Sequence, residues 1–322
     1  MEQFSHAQKE SGINRVVGFD AGQEKKFLQY FKDKFETRSP DSGDKEKTSE
    51  QVALIDRTNK EMRDFLARYN INAVEIPADN VHILDRSKLT QEELREIQKR
   101  FGTESGFYSA FKQGVAIMKD YDVSKLSFLQ TLVHESLHLQ GFYSYQKSSR
   151  ETADFSVKNE DNSASLNIRR SGFSIGTKDG KRRLFHEINE SIITELQIRF
   201  ENAYLAQWPE LKEELKARDA CIERVAKRDN APIEEIRKVV ASFSGYAWVT
   251  YPYNDERQEF NSLVDELYTR NQSDFESRED VFNLFVEATM NGRLLPVARL
   301  IEKTFGKGTF RTIGVNSANK HD

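Results

Sequence analysis

The stretch Thr131-Leu132-Val133-His134-Glu135-Ser136-Leu137-His138-Leu139 decides how this chain is read. It sets two histidines four positions apart. On an α-helix, residues i and i+4 lie one above the other, so both imidazoles can reach one point in space. Two neutral imidazoles that converge in this way are ligands for one metal ion. Glu135 is turned about 100° from His134 around such a helix, which lets it reach a water on that ion as a general base while not ligating the ion itself. Leu132, Ser136, Leu137 and Leu139 carry no charge, which suits a helix buried in a core, where an unpaired charge is costly. Gln140 departs from that apolar frame. The alternative reading is a pair of surface histidines on an ordinary helix.

Working outward, the period places this helix at about 124–140, after a hairpin at 107–119. A polar stretch at 146–161 follows. Leu166–Ile168 and Phe173–Ile175 read as strand, with an Asp179-Gly180 turn signal close behind, and a strong helix runs over about 185–205. Toward the N-terminus, 22–36 and 50–69 read as helices, separated by residues 37–50, which hold no large apolar side chain and read as a linker. Ile71–Pro77 and Val81–Leu84 look like strand, and Thr90 with Glu93 forms a capping-box start for a helix to about Phe101. Beyond 205 the period is helical, at about 209–227, 233–242, 255–271, 278–291 and 294–304. Helices, then strands, then helices predict an α+β fold. The expected division is an N-terminal helical extension (1–59), a catalytic unit (60–205) and a helical C-terminal subdomain (206–322), with the cleft between the last two.

Composition narrows the field. Of 322 residues, 48 are Lys or Arg and 52 are Asp or Glu, a net charge of −4, and 37% are hydrophobic. That is apolar enough to build a core, so general disorder is excluded. The charges nearly balance, so neither nucleic acid nor an anionic membrane is expected as a partner. Cys221 stands alone, which excludes an intrachain disulfide and any zinc site built from several cysteines. The start, Met1 to His6, is polar, and no run approaches the length of a membrane span, so a reducing, cytoplasmic setting is expected.

A third ligand must come from elsewhere. The metzincin pattern continues with a Gly and then a third His. Gly141 fits, but Ser144 stands where that His is needed, and a hydroxyl is a poor zinc ligand. The better source is Phe185-His186-Glu187-Ile188-Asn189-Glu190-Ser191, on the next strong helix, where Glu190 competes with His186 and Glu187.

His-Glu-x-x-His followed by Asn189-Glu190 on a second helix resembles the gluzincin metallopeptidases, the group of thermolysin and the aminopeptidase N-like enzymes. The resemblance covers about residues 107–200. It implies a zincin-like unit with a small mixed sheet and two metal-bearing helices. It also implies Zn2+ on His134, His138 and Glu190, Glu135 as general base, and a peptide or protein substrate. Two features depart from the family. The interval of 52 positions from His138 to Glu190 is much longer than usual. Thr194 stands where an acid normally follows the ligand Glu by four residues, leaving Thr194 or Glu195 to orient a histidine. The family's edge strand, which holds an extended peptide, corresponds to Val115–Met118, with a buried strand pair as the alternative. Its oxyanion donor is usually Tyr or His. Tyr246, Tyr251 and Tyr253 are candidates here, with Tyr251 taken as the catalytic one. His186 shares a helix face with Glu190, either as its partner or as a surface residue. Arg169, Arg170, Arg182 and Arg183 either read a carboxylate terminus or form a solvated hairpin face.

Three functions compete on these residues: a zinc peptidase, a zinc-binding regulatory or interaction protein without proteolysis, and a helical scaffold in which both motifs are coincidences. Glu135 favours the first, because a structural metal site does not need it.

Overall fold

Apolar residues at helical spacing, punctuated by polar and glycine-bearing turns, fold into the elements below. The computed structural model describes residues 13–36, 44–101, 105–109, 113–147, 157–158, 165–179, 181–244 and 247–319. The N-terminal elements are β1 (Arg15–Val17), α1 (Ala21–Glu36), α2 (Ser49–Ala67), β2 (Val81–Ile83) and α3 (Gln91–Phe101). Then come β3 (Gly106–Ser109), β4 (Gly114–Ile117), α4 (Lys125–Gln140), β5 (Tyr143–Lys147), β6 (Val157–Lys158), β7 (Ser165–Ser171), β8 (Ser174–Gly176) and β9 (Arg183–Leu184). The remainder is α5 (His186–Ala203), α6 (Lys212–Asp229), α7 (Ile233–Arg237), β10 (Val240–Ser244), β11 (Ala247–Thr250), α8 (Asn254–Arg270), α9 (Arg278–Met290), α10 (Leu294–Phe305) and α11 (Thr309–Asn319). The class is α+β, as expected.

Three sheets form. In the small mixed sheet β2-β4-β3, β2 runs parallel to β4 and β3 antiparallel to it. Val115–Ile117 is therefore the middle of this sheet, the buried strand of the two readings, and β2 and β3 are its terminal strands. A larger sheet, β1-β5-β7-β8-β9 with β6 on β7, takes every strand except β1 from the long interval between α4 and α5. β10 and β11 pair as a hairpin. One hydrophobic cluster runs from Phe35 to Ile301 and draws on all three expected segments; a smaller one gathers Val16, Phe31, Tyr143, Tyr145 and Leu166.

Some local expectations give way to tertiary contacts. Residues 71–77 are irregular chain, not strand. Two side-chain amides take the place of a neighbouring strand: Asn59 pairs with the N–H and C=O of Ile76, and Gln140 pairs with both groups of Val74 at 2.7 Å. That explains the polar Gln140 at the end of an otherwise apolar frame. The helix expected over 233–242 stops at Arg237, and Val240–Ser244 enters a strand. α11 was not foreseen. Half of the linker, residues 37–43, and Gly180 of the expected turn lie outside the described residues. Among the described residues, no helix is long and apolar enough to cross a membrane.

Candidate metal centre

Two helices carry the centre, and each is anchored at its N-terminus. Ser124 caps α4 by accepting from the Ser127 N–H at 3.0 Å. Behind it, the Glu214 carboxylate accepts from the Ser124 hydroxyl and from the N–H groups of Lys125 and Leu126. An anion there satisfies orphan donors and complements the helix dipole. α5 has no side-chain cap; it begins after Phe185, whose backbone is left-handed at φ 61°. The Phe185 ring is held against Phe310 (4.6 Å between centroids) and Phe173 (5.5 Å). Asn189 pins the same end to the β7–β8 turn, accepting from the Phe173 N–H at 2.8 Å. Gly172 in that turn has φ 60° and lies so close to the Asn189 amide oxygen that a Cβ would overlap it.

With α4 and α5 fixed, three side chains converge. His134 Nε2 and His138 Nε2 are 3.2 Å apart. Glu190 Oε2 lies 3.1 Å from His138 Nε2 and 3.6 Å from His134 Nε2. All three side chains are close to buried, at 12%, 11% and 8% exposure. Ligands at ~2.0–2.2 Å around a tetrahedral ion stand roughly 3.3–3.6 Å from one another. The observed separations, 3.1–3.6 Å, are close to that spacing, so the three donors fit around one metal ion. Glu187 and Ser144 are not members of this cluster. His186 is close by: its Nδ1 is 3.5 Å from Glu190 Oε1, making it a companion of the carboxylate.

The charges are interdependent. Burial opposes ionisation of Glu190, but His138, His134 and His186 overcome it and hold the carboxyl well below its usual range. Burial likewise opposes a charge on His134; hydrogen bonding to Glu190 and the charges of Glu135 and Glu190 prevail and lift it to about 9. For Glu135, burial dominates and raises the pKa, only partly offset by the histidines and by the Tyr108 N–H, which the carboxylate accepts.

Behind His134, neither Thr194 nor Glu195 is the orienting group. The Thr194 hydroxyl is buried without a hydrogen-bond partner. Glu195 accepts from Arg257 Nε at 3.1 Å and Asn261 Nδ2 at 2.9 Å. The partner is Gln197, whose Oε1 lies 2.9 Å from His134 Nδ1. Gln197 in turn donates to Glu201 at 2.8 Å. Glu201 also accepts from Gln130 at 2.9 Å and from the Tyr251 hydroxyl at 2.6 Å, with Arg218 at 3.6 Å. The Tyr251 hydroxyl is thus engaged two side chains behind His134 and does not face Glu135. Tyr246 lies outside the described residues.

Tyr253 lies beside the centre. Its ring is 6.2 Å from that of His186, and besides burial, the charges of Glu190 and Glu135 push its hydroxyl pKa up. It is oriented by a left-handed backbone (φ 55°) at the start of α8. On the other side, Tyr108 of β3 stacks on His138 with 6.0 Å between ring centroids. β3 comes this close because Gly106 has no Cβ: one would overlap Thr131 and press on the Ala116 carbonyl.

Sequence reasoning missed Gln197, Glu201 and Tyr108. The first two did leave a signal. Glu190, Thr194, Gln197 and Glu201 fall at i, i+4, i+7 and i+11, a polar stripe on one face of a helix with a buried apolar side. No protein-family model, curated protein or solved structure matches the chain. The functional reading therefore rests on the centre itself.

Proposed function

We propose that the chain is a zinc-dependent peptidase of gluzincin type, with His134, His138 and Glu190 as metal ligands. The observation that carries this reading is the convergence of three donors from two helices at tetrahedral spacing, with Glu135 one residue along from a ligand. Zinc bound there would lower the pKa of a coordinated water toward ~7 and polarise a carbonyl.

The remaining work falls to the protein. Glu135 accepts a proton from the attacking water, a step its raised pKa favours, and delivers it to the leaving amine. Tyr253, kept protonated, donates a hydrogen bond to the developing oxyanion. Gln197 holds the His134 ring in one orientation. β3 supplies a rail for the substrate. The Met118 N–H donates to the Ser105 carbonyl, so by antiparallel alternation the backbone groups of Gly106 and Tyr108 point away from β4. The Tyr108 N–H on that side reaches Glu135, so a peptide added along this strand would pass the base. The lone, buried thiol of Cys221 supports a reducing compartment, which we read as the cytoplasm.

The test is digestion of a broad peptide library by zinc-loaded protein and by Glu135→Ala. The expected result is cleavage by the wild type that falls by ~10²–10⁴ in the variant while zinc is retained. Stoichiometric zinc with no cleavage by the wild type would instead favour a zinc-binding protein without proteolytic activity.

A further inference from the structure

The larger sheet carries a second constellation on its other face. Register sets Arg15, Ser144 and Arg170 side by side on β1, β5 and β7. Residues opposite one another in adjacent strands share a face, so the three side chains form a row. Arg169 joins them through a β-bulge. Ser144 faces Arg170 while Tyr145 faces Ile168, leaving Arg169 as the extra residue. A bulge breaks the strict in–out alternation and re-aims a side chain. The result is a cavity of about 380 Å³ lined by Arg15, Arg169, Arg170, Ser144, Phe142 and Val17, with Gly292 at its rim. Tyr143, one residue before Ser144, turns to the opposite face, where its ring lies 4.9 Å from Tyr108 beside the metal centre. The cavity and the metal centre are therefore on opposite sides of β5.

Its charge is unbalanced. Among the described residues, no carboxylate lines the cavity. Arg15 has Glu24 at 3.8 Å. Arg169 has no carboxylate partner among the described residues. Arg170 is clamped by three carbonyls, of Gly172 (2.7 Å), Ala288 (2.9 Å) and Gly292 (3.0 Å), and its Nε is buried without a hydrogen-bond partner. Burial and the neighbouring Arg169 pull its pKa down to about 10, so it stays charged at neutral pH. Adjacent like charges with no counter-charge are destabilising, and an anion removes the penalty.

We propose that this cavity binds a phosphoryl dianion, with Arg169 and Ser144 on the phosphoryl oxygens and the fixed charge of Arg170 beside them. Two unneutralised guanidiniums match a double negative charge; the forked donors of Arg169 match phosphoryl geometry, and Arg170, held by backbone carbonyls, supplies charge. Ser144 adds a hydroxyl donor. Phe142, whose ring lies 5.2 Å from the Arg170 guanidinium carbon, and Val17 provide an apolar wall. The volume is in the range of small-molecule sites and leaves room for an organic body beside the phosphoryl group. This site is independent of the metal centre and of the peptidase reading.

Calorimetric titration of the full chain with glycerol 3-phosphate, inorganic phosphate and acetate tests it. Saturable one-site binding of a phosphate at millimolar concentration or below is expected, with acetate weaker by about tenfold or more. Tighter binding of the ester identifies an organic phosphate as the ligand; equal binding identifies free phosphate. Arg169→Ala, an exposed bulge residue, and Ser144→Ala should each weaken binding by about tenfold, while His134→Ala leaves it unchanged. Circular dichroism of the ligand-free variants checks that they fold. Absence of saturable binding, acetate binding as tight as phosphate, or wild-type affinity in both folded cavity variants would overturn the proposal.

Discussion

In the proposed peptidase, Glu135 and His134 have opposite tasks although they are neighbours on one helix: His134 must give up a proton to bind metal, and the carboxylate must take one up. The pH dependence follows. In the metal-free protein His134 holds its proton up to about 9, so zinc must displace that proton over the whole neutral range. Apparent zinc affinity should therefore fall as pH drops from 9 toward 7, with proton release on binding. Chelator competition at several pH values measures it, and a flat profile would contradict the assignment. The two tyrosines separate by role. Tyr253→Phe should lower kcat by ~10²–10³ with zinc content unchanged, as loss of one oxyanion donor does. Tyr251→Phe should act through Glu201 and Gln197, weakening zinc binding in preference to the chemical step. Steady-state kinetics beside metal analysis distinguishes them. At this scale the His-Glu-x-x-His motif was legible because its geometry is local, one turn of one helix. The choice between Tyr251 and Tyr253 was not, because it depends on a left-handed residue in a turn.

At the scale of elements, the centre depends on how closely β3 approaches α4. Gly106 lets the strand lie against Thr131 and Glu135. Gly106→Val should cost about 1–3 kcal/mol of stability, as overpacking does, and should impair hydrolysis by displacing the Tyr108 N–H from Glu135. Chemical denaturation and peptide-cleavage rates report the two effects, and a variant that is unchanged in both would remove β3 from the site. The helices α4 and α5 were readable from their helical period. β3 as a terminal strand was not, since hydrophobicity points to the more buried β4. Nor was the irregular course of 71–77: its backbone groups are satisfied by Asn59 and Gln140, side chains from distant helices that local propensity does not reveal.

For the whole molecule, the Glu201 network ties the centre to the rest of the fold. It joins α4 through Gln130, α6 through Arg218 and the turn before α8 through Tyr251. Gln130 also donates to the Ala241 carbonyl on β10 at 2.8 Å. Metal bound to the folded state should therefore stabilise the global transition and not one helix alone. At a free zinc concentration 100 times Kd, the gain is about 2.7 kcal/mol. Calorimetric scans with and without chelator should show one transition that shifts upward on zinc loading; a zinc-insensitive Tm would contradict this. The α+β class was legible from the order of patterns. The single core shared by the N-terminal, middle and C-terminal segments was not, because it rests on contacts between residues as distant as Phe35 and Ile301.

The central claim is that His134, His138 and Glu190 hold one zinc ion. Its most direct test is metal content by mass spectrometry for protein purified without chelator, as wild type, His134→Ala and Glu190→Gln. The wild type should carry one zinc per chain. Each variant should lose it at dilutions the wild type withstands, because a lost ligand costs more than the ~10–100-fold typical of a lost outer partner. No zinc in the wild type, or stoichiometric zinc in both variants, would contradict the account.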